Sequence, residues 1–131
     1  MGNLSCFCIY SMLHSAKLHT QAKMSGAHVL IENKAWTTGR LLWDRAHRSG
    51  ELMPLVLSAA EGDTGDIIYW AVIDDITLGE ESRTTTCTYS NLRTITPPKP
   101  KSSLRLRSKG RPLSEDFIRP YAICHTPDFL A

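Results

Sequence analysis

Six cations and no carboxylate fall between Pro97 and Pro112: Lys99, Lys101, Arg105, Arg107, Lys109 and Arg111. Fixed positive charge at that density is phosphate-binding chemistry, because each Lys or Arg that meets a phosphate releases a condensed counterion. Leu104 and Leu106 interleave with Arg105 and Arg107. A period of two predicts a strand with one buried and one cationic face. Just upstream the sign reverses: Glu61, Asp63, Asp66, Asp74, Asp75, Glu80 and Glu81 occupy residues 61–81 without one Lys or Arg. The net charge of +2 therefore conceals two segregated blocks. The basic strand has two other uses, as a solvated edge guarded against aggregation and as a partner for the acidic turn of a neighbouring molecule.

Aromatic residues supply the second kind of binding chemistry. Trp36, Trp43, Tyr69 and Trp70 are what a base-recognising pocket uses, since stacking on one base contributes about 1–3 kcal/mol. Trp36 lies in a polar segment after the first predicted strand, flanked by Asn33 and Arg40. The expected ligand set is Trp36 and Trp70 for stacking, Asn33 for a hydrogen bond and Arg40 for a phosphate. Trp43 and one of Tyr69 or Trp70 serve equally well as core filling.

Catalytic chemistry finds less support. Asp74 and Asp75 are adjacent, and neighbours on a strand point to opposite faces, so the pair alone neither clamps an ion nor flanks a scissile bond. Cys124 and His125 meet the same objection. Cys6, Cys8, Cys87 and Cys124 match no metal-ligand spacing, and no phosphate-cradling Gly-rich loop or nucleophile elbow occurs. No catalytic residue, metal or cofactor is assigned.

The elements that must position these residues follow from local pattern. Residues 27–31 form an apolar strand. Thr38 caps a helix over 39–48 with Leu41, Leu42 and Ala46 inward, stopped by Ser49 and Gly50. Residues 52–60 are a second strand, with Pro54 marking an edge or the first rungs. Residues 67–73 are apolar on both faces, which predicts a central strand covered on two sides. A β-branched strand over 84–89 pairs with it as a hairpin. A stiff Pro-rich connector (96–101) leads to the basic strand over 103–107. A short helix from Ser114 to about Arg119 and a last strand over 121–124 complete the order.

The chain is 131 residues long, enough for one domain with a real core. Its 42% hydrophobic and 21% charged residues exclude wholesale disorder. A pI near 8.4 confines any nucleic-acid role to a local patch. Residues 1–23 are set apart as a doubtful or disordered extension, with 24–131 as the domain. The apolar run Leu4 to Leu13 lacks a preceding Lys or Arg for a signal peptide, and Cys6 stands where a myristoylation signal needs Ser or Thr. A start at Met12 or Met24 accounts for the segment more simply. No apolar run spans a bilayer, and unpaired cysteines fit a cytoplasmic protein.

The strand leading into a Trp-containing helix (Val29 to Trp43), the Gly65-Asp66 turn before Ile67 to Val72, the further basic strand and the short C-terminal elements together resemble the PUA-like superfamily, particularly its EVE and ASCH branches. The resemblance spans about residues 27–129. It implies a pseudobarrel that binds RNA or modified bases in DNA, with a pocket between the barrel and the first helix. The expected fold is α+β, a small curled mixed β-sheet or PUA-like pseudobarrel with one or two flanking helices. The expected function is non-catalytic binding of nucleic acid or a modified base. A protein-interaction module using the acidic region, including self-association, and a small nucleotide-related enzyme using Asp74 or Asp75 are the alternatives.

Overall fold

A computed structural model describes residues 3–59, 66–79, 83–108, 110–114 and 121–130. Among them the chain runs β1 (Phe7–Leu13), α1 (Ser15–Ala22), β2 (His28–Glu32), α2 (Thr37–Arg48), β3 (Pro54–Ala59), β4 (Ile67–Leu78), β5 (Thr85–Lys99), one 3-10 turn (Lys101–Ser103) and β6 (Ala122–His125). The strands form a single mixed sheet in the order β2-β5-β4-β3-β1-β6. β1 and β3 are parallel and the other neighbours antiparallel. The α+β class, the mixed sheet and the flanking helices agree with the sequence reading. The sheet keeps two edges, β2 and β6, so it is not a closed barrel. Three register shifts between β4 and β5 and a left-handed residue at Asn91 (φ 57°) bend the hairpin and curl the sheet.

The largest correction concerns residues 1–23. Phe7–Leu13 is no extension: it lies between β3 and β6, pairing Ile9 with Leu55 on one side and with Ile123 on the other. Cys8, Ile9 and Tyr10 are fully buried. An interior strand is apolar on both faces, and a short apolar run without alternation reads the same in a leader as in a sheet centre. Ser15–Ala22 then lays Leu18 on the sheet, with the His19 ring nitrogen 3.1 Å from the Tyr69 hydroxyl.

Each face of the sheet carries its own core. One holds Ile9, Leu55, Leu57, Tyr69, Ala71 and Ile73 under α1 and α2. The other holds Cys8, Tyr10, Val56, Trp70 and Val72 under Leu104, Leu113 and Leu130 from the C-terminal segment. The prediction that β4 is central and covered on both sides therefore holds, and Pro54 marks the first rungs of an interior strand rather than an edge.

α2 begins two residues earlier than expected, with Trp36 rather than Thr38 at its N-cap and no side-chain cap. Leu42 and Ala46 are buried, but Leu41 is 51% exposed, its inward place taken by Gly39 and the half-buried Trp43. β5 runs on through Pro97 and Pro98 to Lys99, where a connector was expected. The strand expected over 103–107 is two isolated bridges, Arg105 with Pro112 and Leu106 with Cys124. The helix expected after Ser114 and most of the acidic block, including Glu61, Asp63, Glu80 and Glu81, lie outside the described residues, as does Lys109.

Candidate nucleic-acid interface

The basic segment reaches the sheet by folding back on itself. Leu106 N–H donates to Arg111 O (2.8 Å) and Leu113 N–H to Leu104 O (2.7 Å), while Gly110 at φ 65° takes the tight return. Buried Leu104 and Leu113 anchor this loop in the second core. Its outer arm then docks on β6. His125 N–H donates to Arg105 O (2.8 Å) and Arg107 N–H to Ile123 O (2.9 Å), a short antiparallel rung beyond the last strand.

Period-two geometry sorts the side chains. Leu104 and Leu106 turn to the second core, which leaves exposed Arg105 and Arg107 on the face that also carries His125 and Phe7. The Arg107 guanidinium carbon lies 5.1 Å from the Phe7 ring centre. Phe7 in turn sits 5.2 Å from the His125 ring, its direct cross-strand partner. Arg105 Nη1 donates to Gly110 O at 3.1 Å. Ser103, Arg105, His125, Asp128 and Phe129 line an open cleft of about 350 Å³. Lys99, half-buried at the end of β5, places its Nζ 5.5 Å from the Phe129 ring centre. A cation over an aromatic face is attracted by the ring quadrupole and so held near one position.

A second hollow adjoins this row through Phe7. α2 presents Leu42, Arg45, Ala46 and Ser49 at helical spacing over the start of β1, enclosing a cavity of about 200 Å³ with Phe7 and Met53. Arg45 and Glu51 stand among its polar lining, and Cys6, an exposed thiol, completes it.

The expected base pocket is not assembled. Trp36 is 1% exposed and stacks on Tyr121, with centroids 4.8 Å apart and planes at 12°. Its backbone N–H donates to Thr85 Oγ1 at 2.8 Å. A ligand could reach that ring face only by displacing Tyr121. Trp70 belongs to the opposite core and carries the Arg93 guanidinium at 4.4 Å. Asn33 and Arg40 are exposed, and Arg40 Nε donates to Ile76 O at 3.2 Å. The four residues thus fall on both sides of the sheet. Of the expected phosphate contacts, Arg105, Arg107 and Arg111 are exposed and Lys99 half-exposed, whereas Lys101 is only 5% exposed, with its Nζ 6.0 Å over Tyr10. The sequence pattern does not single out Phe7, His125 and Phe129, because Phe7 falls within residues 1–23, set apart as an extension, and His125 enters only as the neighbour of Cys124.

The remaining reactive groups are quiet. Burial pushes the Cys124 thiol up to about 12, and burial together with neighbouring Cys124 raises Cys8 further. Asp74 accepts from Ser90 Oγ and Asp75 from Thr77 Oγ1, each at 3.1 Å. Among the described residues no helix is long and apolar enough to cross a membrane. No protein-family model and no curated protein matches the chain, so neither adds support to the PUA-like resemblance.

Proposed function

We propose that this domain binds nucleic acid without catalysing a reaction on it, the backbone lying along Arg105 and Arg107, with Arg111 and Lys99 on its flanks. The observation that carries this reading is the placement of Arg107 on Phe7, beside His125 and on the face that holds Arg105. Cations alone would fit a solvated edge. Cations interleaved with aromatic faces are the pattern that tracks phosphates and stacks unpaired bases. The aromatic role assigned from the sequence to Trp36 passes to Phe7, whose ring borders the cavity beneath α2 and gives one base a place to enter. A cytoplasmic location, where thiols stay reduced, belongs to the same reading.

Fluorescence anisotropy with single- and double-stranded DNA and RNA, at several salt concentrations, tests it. Three engaged phosphates give a log–log salt slope of about −2 on a single strand, at about −0.7 per contact. Arg105→Glu with Arg107→Glu abolishes most of that slope. Absence of binding at low salt, or binding indifferent to both substitutions, overturns the reading.

A further inference from the structure

We propose that two copies of this chain associate through their β2 strands, paired antiparallel about a two-fold axis at Leu30. This inference is independent of the nucleic-acid reading and concerns the opposite edge of the sheet. β2 hydrogen-bonds to β5 on one side, and no described strand pairs with its other side. On the face away from the helices it presents Val29 at 46% and Ile31 at 66% exposure. An edge of this kind is normally blunted by a central Lys, a Pro or a bulge, and His28–Glu32 has none of these.

The sequence His-Val-Leu-Ile-Glu is complementary to itself in one register. With Leu30 opposite Leu30, each His28 stands opposite Glu32 of the other copy, and each Val29 opposite Ile31. Residues directly opposed in an antiparallel pair have Cβ atoms about 4.5–5.5 Å apart, within reach of a side-chain hydrogen bond. One feature of the single chain then finds an explanation. Glu32 has its carboxyl raised by burial, a cost that Lys34 only partly offsets, and an imidazole N–H opposite would offset more. On the other face the two Val29 and two Ile31 side chains close into one apolar patch. Lys34 falls opposite Gly26, so the register opposes no like charges. A C₂ pairing of this type is isologous and closed, giving a dimer rather than a fibre. A five-residue ladder is small, so the dimer is concentration-dependent.

Sedimentation equilibrium of the full chain over a wide concentration range reads this directly, with a monomer–dimer equilibrium as the expected result. Ile31→Lys, at an exposed position that leaves the fold intact by circular dichroism, raises the dimer dissociation constant by about tenfold or more. His28→Glu sets two carboxylates opposite each other and dissociates the dimer, and combining it with Glu32→His restores association by reversing both pairs. A monomer at every concentration overturns the proposal, as does a dimer indifferent to Ile31→Lys. Should His28→Glu fail to fold, the Ile31→Lys result decides.

Discussion

Arg107 and Phe7 lie far apart in sequence yet meet at 5.1 Å, guanidinium carbon to ring centre, because the loop after β5 docks on β6 and β6 docks on β1. Phe7 thereby serves three neighbours at once: the Arg107 cation, the His125 ring and the cavity under α2. A cation held on an aromatic face loses less freedom when it meets a phosphate than one on a free side chain.

Phe7→Leu separates the aromatic role from the structural one. Leucine fills most of the same half-buried volume, so unfolding free energy should fall by less than about 1.5 kcal/mol. Nucleic-acid affinity should fall about tenfold, equivalent to about 1.4 kcal/mol and within the range for one stacking contact. Thermal melts and anisotropy titrations on the same preparation check both. Unchanged affinity would leave Phe7 as core filling.

A chain shortened to residues 24–131 should not fold. Deleting β1 removes the strand that joins β3 to β6 and takes Ile9 from one core and Cys8 and Tyr10 from the other. It also strips Ser58 of its 2.6 Å hydroxyl partner, Tyr10. The expected spectra show collapsed amide dispersion and no cooperative melt, whereas a native-like melt would mean that β3 and β6 can pair without it.

How much of this was legible depended on how local each determinant is. β4 announces itself, because Ile67 to Ile73 is apolar on both faces and bounded by acidic residues. α2 and its stop at Ser49 and Gly50 follow from spacing and from the left-handed turn at Gly50 (φ 73°). β1 carries an equally apolar run, but its position at the start reads as a dispensable extension, and only its pairing with β3 and β6 shows it to be a strand. Trp36 failed for a related reason. Asn33, Lys34, Thr37 and Thr38 make its surroundings polar, while the Tyr121 ring that covers it comes from the far end of the chain. The alternation of Leu104, Arg105, Leu106 and Arg107 predicts one face in and one face out, and the buried Leu104 and half-buried Leu106 against the exposed arginines agree. Whether the outward face is cationic alone or cationic and aromatic depended on Phe7 and His125, which no local pattern connects.

Tyr121 makes the next prediction. It covers Trp36 and accepts the Gly39 N–H at 2.9 Å. A Cβ at Gly39 would stand 3.0 Å from Ile9 Cδ1 and 3.0 Å from the Tyr121 hydroxyl oxygen. Gly39→Ala should therefore destabilise by about 1–3 kcal/mol through overpacking, despite the gain of about 1 kcal/mol that alanine brings to a helix. Trp36→Ala should cost about 3–5 kcal/mol, as large-to-small changes in a buried aromatic do. Denaturant titrations of both variants give these values, and a stabilised Gly39→Ala protein would show that Ile9 and Tyr121 yield freely.

The thiols give a prediction with a definite sign. Burial raises Cys87 and Cys124 to about 12, with Asp74 and Asp75 contributing to Cys87, and raises the Tyr89 hydroxyl to about 12. In the unfolded chain the thiols titrate near 9.0 and the tyrosine near 10.0. Between those values and 12 the unfolded state binds fewer protons than the folded one, so stability falls as pH rises across that window and is fully present below it. Melting temperature should hold up to about pH 9 and then decline steadily. Cys124→Ala should flatten the decline by removing one of the contributing groups. The same burial should make thiol chemistry selective at pH 8: Cys6 is exposed and the other three cysteines are buried, so one equivalent of maleimide enters the folded protein and four enter after denaturation. Because Cys6 also lines the cavity beside Phe7, bound single strand should slow that first reaction, while rapid modification of Cys8 or Cys124 in the native state, located by peptide mapping, would contradict the packing of β1 against β6.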